Sequence, residues 1–128
     1  IAFSSIYTLI SMLNDSKAIT AVLCILLAFL LLFVGGQLNK MLNEPEMNMS
    51  LIMSENGQEY KEIPNPHYLN EGERKIVQFV YDFIPGGQVI QCMSLEAANL
   101  PLLPLYSFII ILLTTGIGLL CFKKKDLK

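Results

Sequence analysis

Charged and uncharged residues are strongly segregated along the chain. No charged residue occurs between positions 18 and 39, and residues 21–34 are apolar on every face of a helix. A helix without a polar face cannot expose one side to water, and its 22 residues, at about 1.5 Å each, cover the roughly 30 Å of bilayer hydrocarbon. The pattern predicts a transmembrane helix over residues 18–39.

A second uncharged stretch follows Glu96 and ends at Phe122. Pro101 and Pro104 near its start suit the first turn of a helix better than its middle, because proline lacks a backbone N–H donor. The pattern predicts a second transmembrane helix over residues 102–122, with Tyr106 near a water interface.

The opening residues 1–14 are uncharged but too short to cross a bilayer alone. We interpret them as the last part of a third transmembrane helix whose beginning precedes Ile1, with an interfacial helix as the alternative. A link over residues 15–17 follows, and its polar side chains suit the N-cap of the next helix. The first two elements therefore form a helical hairpin.

Glycines in the predicted spans, such as Gly35, Gly36, Gly116 and Gly118, indicate close helix packing.

Between the two complete transmembrane helices lies an acidic segment, residues 40–100. It holds nine acidic and four basic residues, whereas the tail over residues 123–128 holds four basic residues and one acidic residue. By the positive-inside rule, the tail and the 15–17 link are cytoplasmic and the 40–100 segment is extracellular. The sequence therefore predicts a multi-pass protein of the plasma membrane with a cytoplasmic C-terminus.

Overall composition agrees with a membrane protein. The chain is 53% hydrophobic and only 16% charged, whereas soluble domains carry roughly 25% charged residues. A net charge of -2 argues against a nucleic-acid surface. Three widely separated cysteines imply no disulfide framework.

The extracellular segment contains local signals for short elements. Residues 49–53 and 59–63 flank an Asn56-Gly57 turn and suit a small β-hairpin. Asn70 and Glu73 form a capping-box pair at the start of an amphipathic helix over residues 70–84. One face carries Ile76, Val80, Phe83 and Ile84, and the other carries Glu73, Arg74, Gln78 and Asp82.

A break at Pro85-Gly86-Gly87 and a short helix over residues 88–96 are expected next. Two short helices before a span are typical of a re-entrant element that dips into the outer leaflet while packed on protein. A water-exposed helical cap is the alternative. The predicted fold class is an all-α membrane protein with two complete transmembrane helices, a partial N-terminal one, and an external amphipathic or re-entrant segment before the last span.

Catalytic chemistry has few candidates. His67 is the only histidine, and no GxxxxGK[ST] phosphate loop occurs. The predicted spans hold no Asp, Glu, Lys, Arg or His, which argues against an ion-coupled carrier or an intramembrane enzyme. We therefore expect no catalytic, cofactor-binding or metal-binding residues, no cofactor, and no enzymatic activity in this chain.

Several motifs together resemble the C-terminal half of the permeases of bacterial ABC-2 type exporters, and the resemblance covers nearly the whole chain. They are Gln37-Leu38-Asn39-Lys40, Asn43-Glu44-Pro45-Glu46, Asn65-Pro66-His67-Tyr68-Leu69, Gly72-Glu73-Arg74-Lys75, Asp82-Phe83-Ile84-Pro85-Gly86-Gly87-Gln88 with Gln91, and Phe122-Lys123-Lys124-Lys125-Asp126-Leu127-Lys128.

The resemblance implies spans four (partial), five and six of a six-span subunit, with paired short external helices before span six. Such a subunit pairs with a second permease subunit and with a separate ABC ATPase, whose ATP-driven closure rocks the spans and moves a substrate outward. The main coupling helix would lie before Ile1. Two groups of site residues follow from the resemblance. They are an ATPase-contact link, Asn14, Asp15, Ser16 and Lys17, for which a plain turn is the alternative, and an external re-entrant motif, Pro85, Gly86, Gly87, Gln88 and Gln91.

A second class of function fits the same charge pattern. A small membrane-anchored immunity or binding protein would use the acidic external segment to capture a cationic peptide without ATP. The sequence names no substrate for either function.

Overall fold

The computed structural model describes residues 1–54, 57–95 and 97–126. Within these ranges the chain is mostly helical, with five helices and one two-stranded antiparallel sheet. The elements are α1 (Ala2–Leu13), α2 (Lys17–Leu42), β1 (Met47–Ser54), β2 (Gly57–Pro64), α3 (Glu71–Phe83), α4 (Pro85–Ser94) and α5 (Leu102–Asp126).

Helices α2 and α5 are long and apolar enough to cross a membrane. Only 6% of the most apolar stretch of α2 and 11% of that of α5 is buried, whereas the core helix of a soluble protein would be mostly buried. The helix predicted over residues 18–39 extends from Lys17 to Leu42. The one predicted over 102–122 continues to Asp126, because the lysines after Phe122 are good helix formers.

Helix α1 runs beside α5 in the same direction. Ile1 lines a groove together with Ser107 of α5, and eleven residues later Met12 packs against Gly118. Chain direction then reverses through a short link into α2. We call the end where α1 and α5 finish and α2 begins the tail end, and the opposite end the loop end.

The all-α prediction is wrong in one respect, because β1 and β2 form an antiparallel hairpin at the loop end. Its register runs from Met47 opposite Pro64 to Ser54 opposite Gly57, so the predicted hairpin is confirmed and is longer than expected. Polar and apolar residues alternate from Met47 to Leu51 of β1, and this period of two matches a strand and not a helix. Asn56, the first residue of the predicted Asn56-Gly57 turn, lies outside the described residues.

The amphipathic helix predicted over residues 70–84 is α3. Its capping box is confirmed, since Asn70 Oδ1 accepts from the Glu73 N–H at 2.9 Å and Glu73 Oε2 accepts from the Asn70 N–H at 3.1 Å. These bonds satisfy N–H groups that the first helical turn leaves without intrahelical partners.

The predicted break between the two short helices is present, but it lies at Ile84 and not within Pro85-Gly86-Gly87. These three residues form the first turn of α4, which therefore begins three residues before the predicted position 88 and ends at Ser94. Proline is favoured at a first helical position, where its missing N–H would have no partner anyway. Ile84 alone joins the helices, with extended backbone (φ -71°, ψ 130°). The predicted end at position 96 lies outside the described residues.

Helices α3 and α4 form a helical hairpin that packs along α2. Arg74 near the start of α3 donates from Nη2 to the carbonyl oxygen of Leu42 at 2.7 Å, and Gly86 contacts the backbone of Leu31. Leu31 precedes Leu42 by eleven residues, which corresponds to about 16 Å along a helix. The tip of the α3–α4 hairpin therefore lies close to the middle of α2.

Candidate functional site

Three glycines bring the tip of the α3–α4 hairpin against its neighbours. A Cβ placed on Gly35 of α2 would lie 2.7 Å from the carbonyl carbon of Gly86 and 2.8 Å from the Gly87 nitrogen. A Cβ on Gly86 would overlap the carbonyl oxygen of Leu31, and one on Gly87 would overlap that of Tyr81. Such approaches require residues without side chains, as in other close helix packing. Gly35 is thus a packing glycine as predicted, whereas Gly36 has nothing within 4 Å.

Asp82, near the C-terminal end of α3, is buried and is only 1% exposed. Its Oδ1 accepts from Gln78 Nε2 at 2.7 Å and from Gln91 Nε2 at 3.0 Å, and its Oδ2 accepts from Asn99 Nδ2 at 2.8 Å. We call these four residues the Asp82 cluster. It joins α3, α4 and the loop before α5 through one carboxylate, and hydrogen bonds to a charged acceptor are stronger than neutral ones.

Helix α3 buries the Asp82 carboxylate beside Tyr81 and leaves two large apolar side chains mostly exposed. Ile76 is 66% exposed and Phe79 is 54% exposed, while Gln78 is half-buried and Asp82 is buried. A surface helix of a soluble protein has the opposite arrangement, with its apolar stripe facing the core. The sequence pattern grouped Asp82 with the polar face of α3 and assigned it no role.

The predicted re-entrant residues lie together in the structure. Pro85, Gly86, Gly87, Gln88 and Gln91 are all buried. Gln88 Nε2 donates to the Asp82 carbonyl oxygen at 3.0 Å, and Gln88 Oε1 accepts from the Ser107 hydroxyl of α5 at 2.7 Å. Gln91 is 1% exposed, and its Oε1 has no hydrogen-bond partner among the residues that the structure describes. These polar side chains bind the hairpin to α5.

Aromatic rings form a second contact between the α3–α4 hairpin and α5. The Tyr106 ring lies edge-on to Phe79 and Phe83, with 5.8 Å between ring centroids in both pairs. Edge-to-face packing is a favoured geometry for such pairs. Tyr106 lies in the second turn of α5, toward the loop end.

A polar cleft of about 560 Å³ opens over the Asp82 cluster at the loop end. It is lined by Glu71, Arg74, Lys75, Gln78 and Asn99. Gln78 and Asn99 thus both line the cleft and donate to Asp82, which lies buried behind them.

The predicted ATPase-contact link lies at the tail end, and the structure does not bring it together with the re-entrant residues. Asn14 ends α1, and its side chain donates to the Ile10 carbonyl oxygen at 3.0 Å. Ser16 is the N-cap of α2 and accepts from the Ile19 N–H at 3.5 Å. Asp15 and Lys17 are exposed. Two helices therefore meet at a short capped turn with charged side chains on its surface.

Among the described residues, no group of three or more His, Cys, Asp or Glu side chains is arranged to hold a metal ion. His67 is exposed in the loop before α3, and its backbone N–H donates to Asn65 Oδ1 at 2.9 Å. The chemistry of the site is thus that of amides around one carboxylate.

Comparison of the chain with models of known protein families, with curated proteins and with solved structures finds no match.

Proposed function

We propose that the chain is part of the membrane-spanning permease subunit of an ATP-driven exporter of the ABC-2 type. The observation that carries the proposal is the α3–α4 hairpin, which directly precedes the last long helix and packs along α2 as far as Leu31. Paired short helices before the last span are what the resemblance to these permeases implies.

The polarity of α3 supports insertion of the hairpin into the outer leaflet. Ile76 is 66% exposed, and Phe79 remains 54% exposed beside Tyr106, whereas Asp82 and Gln91 are buried. In lipid, exposed apolar side chains carry no hydration cost, and buried polar groups have their partners within the protein. A water-exposed cap with this arrangement would leave large apolar side chains in water while burying a carboxylate.

Charge supports one orientation across the membrane. Lys123, Lys124 and Lys125 lie at the tail end of α5, whereas Glu44, Glu46, Glu71 and Glu73 lie at the loop end. The positive-inside rule then makes the tail end cytoplasmic. In this orientation the link from Asn14 to Lys17 faces the ATPase, and the α3–α4 hairpin caps the exit on the extracellular side.

Transport in this proposal requires the α3–α4 hairpin to move with α2. Backbone contact through Gly35 and Gly86 leaves no room for independent sliding, and Arg74 holds the other end of α3 to Leu42. Displacement of α2 by a partner ATPase at the tail end is thereby transmitted to the exit. ATP hydrolysis itself belongs to that partner, and a second permease subunit completes the pathway.

The proposal is tested on the complete protein that contains this chain, purified from its own membrane by an affinity tag. We expect an ABC ATPase to co-purify, and ATP hydrolysis by the reconstituted complex to fall when Gly86→Val separates α4 from α2. Gly36→Ala is the matched control, because a Cβ at Gly36 meets nothing. Recovery of the protein without an ATPase, together with ATP-independent capture of a cationic peptide, would favour the membrane-anchored binding protein instead.

A further inference from the structure

The Asp82 carboxylate lacks a cationic partner in the described part of the chain. All three side-chain groups that donate to it are amides, from Gln78, Gln91 and Asn99. Burial of a charge is costly unless the charge is paired or binds a metal ion. Amide donors neutralise none of the formal charge, so the site still carries one negative charge.

Gln91 adds a second oxygen that is not saturated. Its Nε2 donates to Asp82 Oδ1 at 3.0 Å, and its Oε1 is buried without a partner. Amide bond lengths place that oxygen about 2.2 Å from the nitrogen, so it lies within roughly 5 Å of the carboxylate. A buried carbonyl oxygen without a hydrogen bond costs free energy unless something binds to it.

Counting acceptor positions leaves two oxygens for a ligand. A carboxylate has about four acceptor positions, of which Oδ1 uses two and Oδ2 uses one. One acceptor position remains on Asp82 Oδ2, and the Oε1 of Gln91 is also available. Both atoms are hard oxygen ligands, which alkali and alkaline-earth cations prefer over thiolate or imidazole. One carboxylate balances a single positive charge.

We propose that Asp82 and Gln91 bind one small monovalent cation of the Na⁺ class. The cation is reached from the loop end through the cleft that Gln78 and Asn99 line, and water in this cleft completes its oxygen shell. Arg74, at the rim of this cleft, donates to the Leu42 carbonyl oxygen, and its Cζ lies 5.9 Å from the centroid of the Tyr68 ring. Lys75 lines the same rim. The cation site does not depend on the transporter assignment.

The test measures thermal unfolding of the complete protein in lipid nanodiscs at constant ionic strength, in NaCl, KCl or N-methyl-D-glucamine chloride. We expect a saturable rise in Tm with Na⁺ and saturable binding of radioactive ²²Na⁺. Asp82→Asn removes the charge and abolishes both responses. Gln91→Met removes the unpartnered oxygen and weakens Na⁺ affinity about 10-fold or more.

Glu62→Gln is the matched control, because it removes an exposed carboxylate of β2 that does not line the cleft and leaves the buried oxygens in place. This variant should keep a saturable Na⁺ response. Equal Tm in sodium and N-methyl-D-glucamine, with no bound ²²Na⁺, would overturn the proposal and assign the Gln91 oxygen to a water molecule. An unchanged response in Asp82→Asn would also overturn it. If Asp82→Asn does not fold, Gln91→Met decides by the same criterion.

Discussion

Gly35 of α2 and Gly86 of α4 meet backbone to backbone, so that a Cβ on Gly35 would lie 2.7 Å from the Gly86 carbonyl carbon. Gly35→Ala should therefore destabilise the protein by about 1–3 kcal/mol, because the added methyl group forces α2 and α4 apart. Gly36→Ala places the same group in open space and should be neutral or stabilising, since alanine favours a helix over glycine. Denaturant unfolding in detergent measures both, and equal stability of the two variants would contradict the contact.

Ser107 of α5 holds α4 through its hydroxyl, which donates to Gln88 Oε1 at 2.7 Å. Ser107→Ala leaves that buried oxygen without its donor and should cost about 1–3 kcal/mol. Ser94→Ala is the matched control, because the Ser94 hydroxyl donates within its own helix, to the Gln91 carbonyl oxygen at 3.3 Å. If Ser94→Ala lowers the free energy of unfolding as much as Ser107→Ala does, the hydrogen bond between α4 and α5 does not contribute more to stability than a bond within one helix.

Arg74 fixes the start of α3 at the end of α2, through its bond to the Leu42 carbonyl oxygen and its position over Tyr68. Arg74→Ala should increase hydrogen–deuterium exchange in the first turns of α3, because both contacts are lost. Arg74→Lys should restore little, since an ammonium group lacks the planar fork that donates and stacks together. Lys75→Ala, an exposed neighbour, should leave exchange as in the unaltered protein, and increased exchange in that variant would point to a general effect of charge.

Insertion of α3 into the bilayer predicts which of its side chains meet lipid. In a variant with Cys24, Cys92 and Cys121 replaced by serine, a spin label at Phe79→Cys should be relaxed by oxygen, which concentrates in lipid. A label at Lys75→Cys should instead be relaxed by a water-soluble nickel complex, because this residue lies near the start of α3 at the loop end. Equal access of the nickel complex to both positions would support the water-exposed cap.

The ATPase-contact link makes a prediction that depends on the proposed function. A cysteine at the exposed Asp15 position, in the same cysteine-free background, should crosslink to the co-purified ATPase. Asn43→Cys is the control, because Asn43 is the C-cap of α2 at the opposite end of that helix. Crosslinking at Asn43 and not at Asp15 would reverse the proposed orientation of the chain in the membrane.

Local sequence determined the elements that depend on nearby residues alone. Uninterrupted apolar residues predicted α2 and α5 to within a few positions, since helix length and apolarity are properties of one segment. The capping box of Asn70 and Glu73 and the β-hairpin after Pro45 also followed from short-range patterns. Such features require no knowledge of the partner against which an element packs.

Only the tertiary structure decided the role of the α3–α4 hairpin. Pro85-Gly86-Gly87 carries the composition of a break, yet it begins a helix because α2 offers Gly35 and Leu31 for backbone contact. Asp82 has the composition of a polar surface residue, yet it is buried because Gln91 and Asn99, distant in sequence, supply its donors. Sequence periodicity predicts which residues share a face of a helix. Which face is buried depends on the neighbours and on the surrounding medium, and these are set by the packing of the whole chain.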